Sequence, residues 1–239
     1  EYSKMFFDAC NQDWEAIKNA QQIIIDKLEK GGVLEFKANS EDPDPKRRTH
    51  VKMIIKGQQF VNSDIDNNYP GSEVFSSPVR DTVSGQVFRM GSCPLGHENK
   101  IVEDVYLKFE NGKIVEFDSK QNNDSLQEFL DRDDGAKYIG EIAIGTNPGL
   151  RKQVYNGLLN EKVGGSFHIT PGQAYQPMYN KNRDMIVNTY NGNESSIHWD
   201  LTIMMLPEYG GGEIILDGET IQKNGKFLLP GTEVLNAGI

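Results

Sequence analysis

The chain has 239 residues, a net charge of −10 and a pI near 4.9, long enough to bury a sizeable core as one large or two small domains. The acidic balance argues against nucleic acid or an anionic membrane surface as principal partner. No apolar stretch nears the ~18–20 residues of a membrane span, and the densest basic cluster, Lys46-Arg47-Arg48, follows an acidic run.

The N-terminus lacks a basic-then-apolar signal pattern, and the two cysteines, Cys10 and Cys93, suggest no disulfide framework. A reducing, cytoplasmic setting is expected, with both thiols as buried bystanders. Along the chain, residues 11–30 read as an amphipathic helix capped by Asn11 or Asp13, with Trp14, Ile17, Ile24 and Leu28 at helical spacing and Gly31-Gly32 as its stop. VLEFK (33–37) alternates like a strand, and 40–48 is a polar, Pro-containing excursion. VKMII (51–55) and QQF (58–60) flank Gly57 as an expected hairpin. A second hairpin joins 101–109 to 113–117 through Asn111-Gly112. A short helix is predicted around 123–133, capped by Asn123 or Asp124, then a strand over 138–144 and a helix over 149–160. SFHIT, IHWDLTIMM, EIIL and KFLL supply further strands, joined by Asp217-Gly218 and Asn224-Gly225 turns. Hairpins outnumber helices, so the expected fold is α+β with a mainly antiparallel sheet and several helices. The Gly210–Gly212 run lacks the strand–loop–helix setting and the Lys-Ser/Thr of a phosphate cradle and reads as a flexible loop.

The chemistry concentrates in four stretches: GSEVFSSP with Glu73, GEIAIGTNP with Glu141, GGSFHITPGQAY with His168 and Tyr175, and NESSIHWD with His198 and Asp200. Residues two apart on a strand share a face, so His198 and Asp200 can converge on one point. Three carboxylates and two imidazoles are a divalent-metal donor set, and more than one open catalytic site uses; they suit two ions held close together. Each residue has an ordinary alternative. Glu141 alone reads as a solvent-facing strand glutamate, although a carboxylate within an apolar strand is costly to bury unpaired. The two histidines read as satisfied core residues, Glu73 as a loop carboxylate after Pro70-Gly71, Asp200 as a strand-end residue, and Tyr175 as a loop ring packing on its neighbours. His50 and His97 lie in polar, turn-like surroundings and are expected at the surface. Asn193 or Ser195 can orient the site residues from behind.

These stretches resemble, in order, the motifs of the thermophilic metalloaminopeptidase family, the aminopeptidase T and aminopeptidase S group. The family pattern places a Glu in Gly-Glu-Val-Phe-Thr-x-Pro, a Glu in Gly-Glu-x-Ala-x-Gly-x-Asn, a His after Glu-Lys-x-x-Gly-x-x with a Tyr seven residues on, and a Ser-x-x-His-x-Asp ending. Here those positions are Glu73, Glu141, His168, Tyr175 and the Ser195–His198–Asp200 run. The likeness covers roughly residues 1–230 and is most specific over 71–200. One departure is Ile169-Thr170-Pro171-Gly172, where family members commonly carry Ala-Leu-Gly after the histidine; Pro171 stiffens the loop leading to Tyr175.

The resemblance implies metal ligation by Glu73, Glu141, His168, Tyr175, His198 and Asp200, with Glu141 bridging two divalent ions. Mixed oxygen and nitrogen donors do not choose among metals; zinc or cobalt is expected, with magnesium tolerated. The activity implied is hydrolysis at the free N-terminus of peptides, Glu141 orienting the attacking water or relaying its proton and Tyr175 stabilising the tetrahedral oxyanion. It further implies a homodimer. The chain begins at Glu1, which fits a single catalytic domain over 1–239 separated from the α/β domain that precedes this region in family members. Two rivals stand beside this reading: a metal-binding module without turnover, and another metallohydrolase such as an amidase.

Overall fold

Asp13 starts the long helix that the apolar spacing predicts, its side chain accepting from Ala16 N at 3.0 Å. In the computed structural model, which describes residues 2–63, 68–96, 98, 100–179 and 184–239, two helices open the chain, α1 (Tyr2–Cys10) and α2 (Trp14–Leu28). Ile17, Ala20, Ile24 and Leu28 form the buried stripe of α2. The sequence reading missed α1, which buries only Ala9 and Cys10 and so carries little periodic signal.

The strands are β1 (Val33–Ala38), β2 (Thr49–Ile54), β3 (Val61–Ser63), β4 (Glu73–Ser76), β5 (Ser84–Pro94), β6 (Ile101–Glu110) and β7 (Lys113–Asp118). After helix α3 (Asn123–Leu130) come β8 (Ile139–Gly145), the one-turn α4 (Gly157–Asn160), β9 (Ser166–Pro171), β10 (Met178–Tyr179) and β11 (Met185–Val187). The chain closes with β12 (Leu201–Met204), β13 (Gly212–Leu216), β14 (Glu219–Lys223) and β15 (Lys226–Phe227). One sheet runs β15-β14-β13-β1-β2-β5-β6-β7 and a second β12-β9-β8-β4-β3. All of these pairings are antiparallel, as the hairpin-rich sequence predicts.

The two sheets differ in burial, and the difference positions the site. β2 alternates buried and exposed residues, the pattern of a sheet with one wet face. β4, β8, β9 and β12 are buried at every position, so any polar side chain on them must find a partner. The core runs between the sheets and under α2. At its centre Phe36 of β1 stacks on Phe167 of β9, with ring centroids 4.2 Å apart and planes 9° from parallel. Among the described residues no helix is long and apolar enough to cross a membrane.

Four expectations need correction. Residues 58–60 form no strand; β2 pairs with β1 and β5, and the chain past Gly57 crosses to β3 in the other sheet, so the Gly57 hairpin does not exist. Residues 149–160 are mostly irregular, with helix only at α4; Asn147, buried and bonded to Ala9 O and Gly71 O, anchors that segment through side-chain contacts instead. The α3 cap is Asn122, whose side chain makes no capping bond, while Asn123 Oδ1 accepts from Ser119 N at 3.0 Å. Gly210 and Gly211 form a tight turn packed against Asn39 and Asn224. The Asn111-Gly112 hairpin stands as predicted between β6 and β7, and both cysteines are buried and free.

Candidate metal centre

Glu141 lies mid-strand in β8, opposite Thr170 of β9, with Ala143 opposite His168. Glu73 begins β4, opposite Gly145 at the far end of β8. β12 extends the row, placing Thr202 opposite His168. His198 and Asp200 do not lie within a strand: β12 begins one residue later, at Leu201, and His198 makes only an isolated bridge to Gly172. The predicted convergence holds all the same, with His198 Nε2 at 3.4 Å from Asp200 Oδ1.

The five residues form one continuous cluster. His168 Nε2 lies 3.0 Å from Glu141 Oε1, 3.7 Å from Glu73 Oε2 and 3.9 Å from Asp200 Oδ1. His198 Nε2 lies 3.5 Å from Glu141 Oε2. Glu73, Glu141 and His168 are buried, while His198 and Asp200 are partly open. Tyr175 closes the open side, its ring 5.4 Å from that of His198 and 5.2 Å from that of Phe75.

The orientations suit ligation. His198 Nδ1 lies 2.8 Å from Gln173 O, the arrangement in which Nδ1–H donates to the carbonyl and Nε2 keeps its lone pair toward the carboxylates. Thr170 Oγ1 donates to Asp200 Oδ1 at 2.6 Å and fixes that carboxylate. Glu73 Oε2 and Glu141 Oε2 are buried acceptors without hydrogen-bond partners, and His168 Nδ1 is likewise unpartnered; carboxylate oxygens orphaned this deep ask for an ion or water. Two donor groups meet the distance demands of a metal: Glu73, Glu141 and His168, and Glu141, His198 and Asp200. Glu141 belongs to both.

The electrostatics point the same way. Burial opposes a charged His168, yet the Glu141 hydrogen bond and the charges of Asp200, Glu141 and Glu73 raise it to about 9. His198 is likewise raised to about 9, by Asp200 and Glu141 against desolvation. Burial pushes Glu141 up. Protons thus stand where these carboxylates demand positive charge.

Sequence reasoning missed three supports. Lys162, with no exposed surface, bonds Glu73 Oε1 and Glu161 Oε2, and Glu161 is pushed up to about 7 chiefly by burial. Gln21 of α2 donates to Ser72, Glu73 O and Thr146 from within the core, holding the start of β4. Asp133 accepts from Ser195 Oγ and from the N–H and Oγ of Ser196, pinning the loop that delivers His198. Gln21 and Asp133 carry no local sequence signal, whereas Glu161-Lys162 stands in the segment preceding His168. Asn193 and Ser195 act on loops: Asn193 Nδ2 donates to Gly135 O and Gly172 O, and neither is hydrogen-bonded to any of the six residues. His50 is on the surface, 2.9 Å from Glu35; His97 lies outside the described residues.

The site opens into a cavity of about 500 Å³ bordered by Glu73, Glu141, Tyr175, His198 and Asp200. A family model for thermophilic metalloprotease (M29) matches residues 7–227. The chain belongs to the M29 family. It is 33% identical over 168 residues to aminopeptidase T of Thermus thermophilus, covering 68% of this chain and 38% of that protein. It spans well under half the length of the curated relatives it matches. The solved structure of wild-type AmpT from Thermus thermophilus shares the fold, with a TM-score of 0.67, 22% identity and coverage of 93% of this chain and 57% of that one. So does 2,5-dihydroxypyridine dioxygenase from Pseudomonas putida KT2440, with a TM-score of 0.66, 13% identity and coverage of 95% and 63%. An M29 chain implies a divalent metal, and the orphaned acceptors and clustered donors fit one.

Proposed function

We propose that this chain is the catalytic part of a metal-dependent aminopeptidase, removing the N-terminal residue of peptides with a free amine. Glu73, Glu141, His168, Tyr175, His198 and Asp200 would hold two divalent ions, zinc or cobalt with magnesium tolerated, and Glu141 would contact both. The observation that carries the reading is the pair of donor groups sharing Glu141, each with ligand atoms within 4.8 Å of one another. When bound, such ions supply Lewis acidity and acidify water toward neutral pH.

The chain's own residues would do the rest. The partly open His198 and Asp200 face the cavity and would receive the substrate's amino end among carboxylates. Glu141, buried and between the two groups, would orient the attacking water; as a shared ligand it makes a poor proton acceptor. Glu161, on the cavity wall beside Lys162 and with its carboxyl pushed up chiefly by burial, is the other carboxylate placed to take and return that proton. The Tyr175 phenol, held protonated by burial and the surrounding carboxylates, would donate to the developing oxyanion.

The buried Lys162 favours a second reading. Its ammonium already neutralises Glu73 Oε1, so one ion at Glu141, His198 and Asp200 could serve with Lys162 as the other fixed cation. Metal content decides between them: two ions per chain supports the first reading, one the second. Release of amino acids from unblocked but not N-acetylated peptides separates an aminopeptidase from an amidase or a metal-binding module. A single domain, a homodimeric assembly and a cytoplasmic setting complete the proposal; the continuous core and the buried free cysteines support the first and last.

A further inference from the structure

Arg89 sits in β5 at a break in register with β6, between Arg89 and Ser92. Gly91 takes a positive φ of 81° there, and Asp104 Oδ1 accepts its N–H at 2.7 Å, locking the bulge. Bulges beside functional sites re-aim a side chain. This one turns Arg89 into the interior, where 1% of its surface is exposed and where it borders the same cavity as the candidate metal centre. Nη1 donates to the carbonyls of Met90 at 3.2 Å and Gly91 at 2.5 Å. Among the described residues no carboxylate lies within ion-pair distance, and Nε and Nη2 make no hydrogen bond; the neighbouring Asp104 is 3.8 Å from Arg47 instead.

A guanidinium does not shed its proton in a protein, and burial without a counter-charge is strongly unfavourable. Here burial weakens its hold on the proton, with only Cys93 and Asp104 opposing. Its two carbonyl contacts satisfy hydrogens, not charge. Arg89 is the one Lys or Arg among the described residues lining the cavity, whose other ionisable lining residues include the carboxylates of Glu73, Glu141, Glu161 and Asp200 and the His198 imidazole. A carboxylate-rich wall with a permanently charged guanidinium beside it matches a zwitterion, and about 500 Å³ falls in the range of small-ligand sites.

We propose that Arg89 is a substrate-binding residue that captures the carboxylate of a short peptide whose amino end lies at the metal centre, so that the preferred substrates are dipeptides and tripeptides with a free C-terminus. The peptide part of this inference rests on the aminopeptidase reading; the anion site does not. The remaining donors, Nε and Nη2, lie on one edge of the guanidinium, the edge that grips a carboxylate through two parallel hydrogen bonds.

The test uses the zinc-loaded full chain and a leucyl-glycine analogue whose scissile carbonyl is replaced by methylene, as the free acid and as the carboxamide. Calorimetric titration should show the acid binding at least about tenfold tighter, the scale of one charge-assisted hydrogen bond. In Arg89→Met the two forms should bind within about twofold of each other. If Arg89→Met does not fold, Arg89→Lys replaces it and should lose most of the discrimination along with the fork. Equal binding of acid and amide by the wild type, or neither binding, overturns the proposal without any variant. Discrimination that persists undiminished in the variant also overturns it, because the carboxylate is then held elsewhere. Hydrolysis of leucyl-glycine and its amide, followed in parallel, reports the aminopeptidase reading separately. Hydrolysis of both at equal kcat/KM keeps that reading and removes the anion site; tenfold discrimination in binding without hydrolysis keeps the anion site alone.

Discussion

Lys162 and Glu73 form an ion pair in the interior, the lysine side chain fully buried and the glutamate 8% exposed. The pair ties the segment before β9 to the start of β4 and leaves Glu73 Oε2 turned toward His168. Removing one member of such a pair strands the other charge in the core, at about 3–5 kcal/mol.

Lys162→Met should therefore lower the unfolding free energy of the metal-free chain by several kcal/mol. Added zinc should recover much of that loss, because the ion can neutralise Glu73 in place of the ammonium. Chemical denaturation with and without metal checks this; a loss that zinc leaves unchanged would show that Glu73 contacts no ion.

The histidines should divide by place. His198→Ala removes a cavity-facing imidazole and should weaken zinc binding by about a hundredfold or more, given that losing even an outer partner of a ligand typically costs 10–100-fold. His50→Ala touches only an exposed pair with Glu35 and should leave zinc affinity and unfolding temperature near wild type. Equal effects of the two substitutions on zinc affinity would reassign the site.

The raised histidines set opposite pH trends for the two forms of the protein. In the metal-free chain His168 and His198 titrate at about 9, against about 6.5 when unfolded. A folded pKa above the unfolded value stabilises fully below the unfolded pKa and loses that contribution as pH rises through the folded one. Unfolding temperature without metal should thus fall between pH 6.5 and 9. Zinc affinity should rise over the same interval, because each histidine must release its proton to bind. Calorimetry and thermal melts at four pH values test both signs; parallel trends would contradict the account.

Tyr175→Phe keeps the ring contacts with Phe75 and His198 and removes the hydroxyl. Activity on peptides should fall about 10²–10³-fold through kcat, the scale of losing one oxyanion donor, with zinc bound more weakly but still retained by the other five residues. A rise in KM alone would make Tyr175 a packing residue.

Much of the fold was legible locally. The α2 stripe, the Asp13 cap and the Asn111-Gly112 hairpin follow from periodicity and turn chemistry within a few residues. Elements settled by distant contacts were not legible: the segment after Gly57 carries hairpin chemistry but joins the other sheet, and residues 149–160 are held by buried polar contacts such as Asn147 rather than by a helix. The six site residues stood out by sequence context, and five of them meet in one cluster with Tyr175 at its mouth. Arg89 and Lys162 did not stand out, because a lone Arg in a strand or a Lys beside a Glu reads as a surface charge until burial is known. Fold alone leaves the chemistry open, since a dioxygenase shares it; the donor set has to choose.

The most direct test of the central claim is anomalous scattering from crystals of the chain soaked in zinc and, separately, cobalt, recorded at each metal's edge. The account predicts two peaks about 3.5–4 Å apart, one beside Glu73 and His168, the other beside His198 and Asp200, with Glu141 within bonding distance of both. A single peak at His198 and Asp200 with Lys162 still on Glu73 would contradict the two-metal account, and no peak at Glu141 would remove the metal centre altogether.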